Sequence, residues 1–160
     1  MPEITVVITT YNLEAYIGTC LEELFSGTYQ DFDVVLVDDG SKDQTVDIVE
    51  TYAQRYPGRI HPIFLQKNLG SPAKTRNWAL NSGFIDGKYV VFLDGDDSLE
   101  SEYLERLHML ALQSGADTVI CAYDRVEEKS RRVLCTEMQG FPKMISLPPK
   151  DDTLAFVNGA

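Results

Sequence analysis

Positive charge is scarce in this chain. Across 160 residues, 14 Lys and Arg stand against 25 Asp and Glu, giving a formal net charge of −11. A nucleic-acid polymer is therefore not an expected partner, because binding one needs a basic surface to displace counterions. An anionic small molecule stays open, provided that a local cation or a metal offsets its charge. Cysteine is sparse as well. Cys20, Cys121 and Cys135 are odd in number, and their spacing matches no zinc pattern. Cys20 falls in a helical pattern and Cys121 in an apolar strand. Both read as small core residues, which suits a reducing compartment. No apolar run approaches the length of a membrane-spanning helix. Met1-Pro2-Glu3 is not a basic leader, so the chain reads as cytoplasmic and without a signal peptide. Walker-type phosphate loops and the Gly-x-Gly-x-x-Gly fingerprint are both missing, which leaves nicotinamide chemistry without support.

What is present looks like one domain with a real core. Hydrophobic residues make up 44% of the chain and charged residues 24%, both ordinary for a globular protein. Short apolar runs predict strands at Ile4–Thr10, Asp33–Val37, Ile60–Leu65, Tyr89–Leu93 and Asp117–Tyr123, with a further one at Arg131–Cys135 after the polar turn Glu127–Ser130. Pro62 marks the third of these as an edge strand or a strand start. The run at Val90–Leu93 is short enough to be buried on both faces. Between the strands, apolar residues recur at helical spacing: Ile17, Leu21, Leu24 and Phe25; Ile48, Val49, Tyr52, Ala53 and Tyr56; Leu104, Leu107, Leu110 and Ala111. Ser71-Pro72 reads as an N-cap followed by a first-turn proline, opening a helix that carries Lys74, Arg76 and Trp78. Strands alternating with helices imply an α/β fold with a mixed, mostly parallel sheet flanked by helices. From Thr136 the pattern weakens among prolines, and an apolar element at Leu154–Val157 begins just before the end. That predicts a core over 1–125, then a region 126–160 that starts a second part and looks truncated.

Three polar loops each follow a predicted strand: Thr9–Asn12, Asp38–Ser41 and Asp94–Asp97. In a parallel sheet all three open at one edge, where ligands of open α/β proteins bind. Asp94, Asp96 and Asp97 repel one another unless paired, and a hard divalent cation with oxygen ligands relieves that repulsion. The helix start at Pro72 favours an anion, and Lys74 and Arg76 add positive charge there. These two residues are two positions apart and do not share a face, so one of them is expected to meet a bound group. Arg76 suits a forked contact with phosphate. Each loop by itself is equally a capping turn, and the basic helix start equally a solvated one. Together they ask for a ligand with a flat polar end near Thr9 and Asp39 and a phosphate end near Asp96 and Arg76; a nucleoside diphosphate fits.

Four segments in order carry a resemblance: Val6-Val7-Ile8-Thr9-Thr10-Tyr11-Asn12; Val37-Asp38-Asp39-Gly40-Ser41 with Asp43 and Thr45; Asn68-Leu69-Gly70 leading to Arg76-Asn77; and Leu93-Asp94-Gly95-Asp96-Asp97. The chain resembles the nucleotide-binding part of a family 2 glycosyltransferase with the GT-A (Rossmann-like) fold, from residue 4 to about 125. The resemblance implies an inverting transferase that takes a nucleotide-sugar donor, commonly UDP-linked, with Mn²⁺ or Mg²⁺. Its acceptor would be a saccharide or lipid-linked one, in bacterial cell-surface polysaccharide synthesis at the inner membrane face. It implies that Thr9 and Tyr11 line the base pocket, with Asp38 beside them. Asp39 would bond the uracil edge, and Arg76, with Lys74 nearby, would meet the ribose or diphosphate. Asp94 would hold the ribose or sugar, and Asp96 would be the metal ligand of the D-x-D motif, a role that Asp97 could share. The family's catalytic base lies beyond the segment seen here. Asp151 and Asp152 have no supporting context, so weak donor hydrolysis and poor transfer are expected of this chain alone. Two other readings compete: a non-catalytic nucleotide-binding or interaction module of the same fold, and a haloacid-dehalogenase-type phosphatase with Asp94 as nucleophile.

Overall fold

A computed structural model of the chain describes residues 1–127 and 132–137. The chain divides into two compact units, Met1–Leu104 and Glu105–Ala160. The first unit is built on four parallel strands: β1 (Ile4–Thr10), β2 (Phe32–Asp38), β3 (Ile60–Phe64) and β4 (Tyr89–Asp94), in the order β3-β2-β1-β4. Three helices of this unit connect them: α1 (Ile17–Ser26), α2 (Thr45–Arg55) and α3 (Pro72–Leu80).

β1 and β2 are the central strands, and all seven residues of each are buried. Their side chains alternate between two apolar layers. Ile4, Val6, Ile8, Val34 and Leu36 pack with Ile17, Cys20, Leu21, Leu24 and Phe25 of α1 and Val49 of α2. Val7, Val35 and Val37 pack on the other face with Ala79 of α3. Helices on both faces explain why the strands carry consecutive apolar residues, Val6-Val7-Ile8 and Val34-Val35-Leu36-Val37, instead of alternating apolar with polar ones. Truncating a side chain as buried as Leu21, which has no exposed surface, typically costs about 2–5 kcal/mol.

Among the described residues β3 is an edge strand, the first of the two alternatives that Pro62 offers, and Pro62 lies inside it and not at its start. β4 departs from expectation. Among the described residues it pairs with β1 alone, and only Leu93 in it is fully buried. One unpaired flank leaves its side chains half-covered instead of buried on both faces. α3 opens at Ser71 with Pro72 in its first turn, but the Ser71 hydroxyl makes no cap bond. The Ser71 carbonyl accepts from the Lys74 and Thr75 N–H groups instead.

In the second unit, the expected strand at Asp117–Tyr123 is absent. β5 (Tyr123–Val126) begins where that run ends and pairs antiparallel with β6 (Val133–Glu137). An apolar run becomes a strand only where a neighbour takes its hydrogen bonds, and no described strand does so for 117–122. Cys121 is accordingly exposed, not a core residue. Residues 128–130 of the predicted turn, Arg131 at the start of the expected last strand, and the stretch holding Asp151, Asp152 and Leu154–Val157 lie outside the described residues. No helix among those described is long and apolar enough to cross a membrane.

Candidate active site

Register decides where the polar loops fall. Thr10 is level with Asp38 across β1 and β2, and Thr9 is level with Asp94 across β1 and β4. Because the strands are parallel, all three carboxyl ends reach one edge of the sheet together.

The loop after β2 is built on Asp38. Its carboxylate accepts from the Thr10 hydroxyl at 3.1 Å, the Gly40 N–H at 3.1 Å, the Ser41 N–H at 2.9 Å and the Ser41 hydroxyl. Only 1% of Asp38 is exposed; it closes the turn from inside. Asp39, equally enclosed, accepts the Leu69 N–H on Oδ1 at 2.9 Å, which ties the loop after β3 to the loop after β2. Gly40 has φ +75, and a Cβ there would stand 2.8 Å from the Lys67 carbonyl carbon. Only glycine lets the two loops approach this closely.

The loop after β1 is cross-tied to the same segment. Asn12, at φ 53, donates its N–H to the Ser41 hydroxyl and accepts from the Lys42 N–H, both at 2.8 Å. The Leu13 N–H meets the Thr45 hydroxyl at 2.8 Å, the Glu14 N–H meets Asp43 at 3.1 Å, and Glu14 accepts from the Gln44 N–H at 2.9 Å. Asp43 also accepts from the Thr45 N–H and hydroxyl, opening α2. Slight burial favours the neutral acid, but these bonds from Thr45 and Glu14 outweigh it and hold the Asp43 carboxyl below its ordinary value. Thr9 and Asp94 meet at 3.2 Å, while Tyr11 between these anchored residues is exposed.

Arg76 and Lys74 separate as their spacing requires. Arg76 Nη2 donates to Asp94 Oδ1 at 2.7 Å, whereas Lys74 Nζ reaches only the Leu69 carbonyl, at 3.4 Å, and is exposed. Asp94 is thus held by Thr9 and Arg76. Gly95 follows with its N–H on the Thr9 carbonyl at 3.1 Å. A Cβ on Gly95 would stand 2.8 Å from the Thr10 methyl and within 3.2 Å of Leu13 and Ile17. Asp96 and Asp97 are exposed beyond it. Partial burial first, then the charges of Asp94 and Asp96, push the Asp97 carboxyl above its ordinary value. Beneath the turn, Cys20 Sγ contacts the Asp94 carbonyl at 3.9 Å, and burial with the nearby acids raises its thiol to about 12.

Among the described residues, no three His, Cys, Asp or Glu side chains stand close enough to form a metal cage by themselves. Asp94 is engaged by Arg76, which leaves Asp96 and Asp97. Two adjacent carboxylates suit a hard divalent cation that takes its other ligands from substrate and water. The charges of Asp94 and Asp96, which with burial raise the Asp97 carboxyl, are what such a cation would offset. The residues present therefore fit Mn²⁺ or Mg²⁺ as a shared ion, not as a caged one.

Sequence reading gave no role to Asn12, Glu14, Ser41, Asp43 and Thr45. Asp43-x-Thr45 ahead of an amphipathic helix is a legible Asx-turn signal. Reciprocal bonds between loops some 30 residues apart had no local signal.

The fold and the site together define an open α/β protein in which the carboxyl edge of the sheet carries two acidic loops beside a helix with Lys74 and Arg76. The chain belongs to glycosyl transferase family 2, whose model matches residues 5–149. It is 36% identical over 122 residues to the putative glycosyltransferase EpsH of Bacillus subtilis, covering 76% of this chain and 34% of that protein. S. aureus TarS, solved in complex with UDP-GlcNAc, superposes with a TM-score of 0.65 at 36% identity, covering 72% of this chain and 32% of that one. Mannosyltransferase PcManGT from Pyrobaculum calidifontis, solved with GDP-Man and Mn²⁺, gives 0.62 at 25% identity, covering 81% and 37%. The fold is that of the GT-A glycosyltransferases. The chain spans well under half the length of the curated relatives it matches.

Proposed function

We propose that this chain is the donor-binding part of a metal-dependent, inverting glycosyltransferase, one that moves a sugar from a UDP-linked donor to a saccharide or lipid-linked acceptor in cell-surface polysaccharide assembly. The observation that carries the reading is the alignment of Thr9, Thr10, Asp38 and Asp94 at one sheet edge, with Arg76 of α3 bonded to Asp94 there. Family membership and the nucleotide-sugar complexes of TarS and PcManGT support it.

In this reading Tyr11 supplies an exposed face for the base beside Thr9, and the Asp39 carboxylate accepts from the base edge. Asp38 holds the turn that presents Asp39. Arg76 keeps Asp94 oriented toward the ribose or sugar, and Lys74 adds charge near the diphosphate. Asp96, with Asp97, would hold Mn²⁺ or Mg²⁺, which when bound stabilises charge on a departing diphosphate. The acceptor hydroxyl needs a general base within hydrogen-bond reach, and no described residue is assigned that role.

The test is calorimetric titration with UDP, GDP and dTDP, with and without Mn²⁺, repeated on Asp96→Ala. Mn²⁺-dependent binding of one nucleotide, lost in the variant, is the expected result. Failure of all three to bind would refute the reading and favour an interaction module of the same fold.

A further inference from the structure

We propose that Glu23 is the positioning residue of the acidic turn, the α1 side chain that fixes where Asp96 and Asp97 stand. Its consequence for cation binding rests on the donor-site reading; its geometry does not. Glu23 Oε2 accepts the Leu99 N–H at 2.8 Å, and Oε1 accepts from the Ser98 hydroxyl at 3.3 Å. These partners come immediately after the exposed acids.

The turn is pinned at both ends. Upstream, the Gly95 N–H is on the Thr9 carbonyl and the Asp94 carboxylate is held by Thr9 and Arg76. Downstream, beyond Glu23, the Ser101 carbonyl accepts the Thr28 N–H at 2.9 Å, and Gly27 passes so close that a Cβ would stand 3.0 Å from that same oxygen. Between the pins, the Asp97 N–H closes a tight turn onto the Asp94 carbonyl at 3.0 Å. Two adjacent exposed carboxylates tend to splay apart. A turn already fixed at both ends presents them in one place, so that a cation need not order them on arrival. Glu23 has both of its oxygens engaged with this segment, so it acts on the turn and not as an ion ligand. The Leu99 bond, at 2.8 Å, is the shorter of the two and the one that holds the segment, whereas the Ser98 bond at 3.3 Å is long.

Two variants of the chain test this. Glu23→Ala removes both acceptors. Glu23→Gln keeps an amide oxygen for Leu99 and the same shape but drops the charge. Amide hydrogen exchange is read by NMR at Asp97, whose N–H bonds Asp94 and not Glu23. Mn²⁺ affinity in the presence of UDP is read from the free-ion electron paramagnetic resonance signal. Glu23→Ala is expected to accelerate Asp97 exchange several-fold and to weaken Mn²⁺ binding about ten- to a hundredfold, with unchanged UDP binding in EDTA; Glu23→Gln restores both. Unchanged Asp97 exchange in Glu23→Ala would overturn the proposal, as would a Gln variant as impaired as the Ala one. If the parent chain shows no Mn²⁺-dependent UDP binding, the donor-site reading falls alone, and Asp97 exchange still decides on Glu23.

Discussion

Arg76 and Asp94 meet at 2.7 Å, and the same Asp94 oxygen accepts from Thr9 at 3.2 Å. One carboxylate oxygen thus joins β1, α3 and β4. The arrangement leaves Arg76 Nε buried without a hydrogen-bond partner, which offsets part of what the ion pair contributes.

Arg76→Ala is therefore expected to cost only about 1 kcal/mol of unfolding free energy, measured by urea denaturation. Its effect on nucleotide affinity should be larger in proportion, since it frees Asp94. Arg76→Lys keeps a charge but not the fork, and is expected to bind UDP closer to the Ala variant than to the parent chain.

Asp39 separates stability from recognition. Asp39→Ala strands the Leu69 N–H and should destabilise the chain by about 1–2 kcal/mol. Asp39→Asn keeps an oxygen for Leu69, so its melting temperature should stay near that of the parent. An amide can present its NH₂ where the nucleobase needs an acceptor, and UDP affinity is expected to fall about tenfold. Melting curves and calorimetry on the same samples check both.

Gly40→Ala should be among the most damaging single changes in the unit. The backbone is in the left-handed region and the new methyl meets main chain at Lys67, which cannot swing aside as a side chain can. A loss of about 2–3 kcal/mol is expected, together with faster exchange of the Leu69 amide as that loop lifts from Asp39.

Two carboxyls give opposite pH signatures. Asp97 is raised, so the folded chain holds its proton more tightly than the unfolded one. That contribution is fully present below the ordinary carboxylate value and is lost as pH rises through the raised one. Asp43 is lowered, so its contribution is present above the ordinary value and is lost as pH falls through the lowered one. Asp97→Asn should therefore raise the melting temperature at neutral pH without metal, and any stabilisation by Mn²⁺ at the proposed site should be smaller in the variant than in the parent chain. Melting series from pH 3 to about 8, with and without Mn²⁺, read this directly.

The central strands were legible because β1 and β2 are buried on both faces, so each carries three or four apolar residues in a row. The loops were legible because each stands after such a run. The edge position of β4 was not, since its sequence is as apolar as theirs and only pairing distinguishes it. The run at 117–122 misled for the same reason: apolar content marks a capacity for pairing, not a partner. Asp38 reads from sequence like a ligand residue, whereas four donors from its own turn and from Thr10 surround it. The tie from Glu23 to Leu99 spans 76 positions and left no local trace.

The burial of Cys20 against the Asp94 carbonyl turns this thiol into a clock. Cys121 and Cys135 are exposed and should react with a thiol reagent well before Cys20 does. Cys20, enclosed and with its thiol raised to about 12, reacts only when α1 and the acidic turn part company. The slow phase of a labelling trace therefore counts those openings, and any ligand that seals the turn should lengthen it without touching the fast phase.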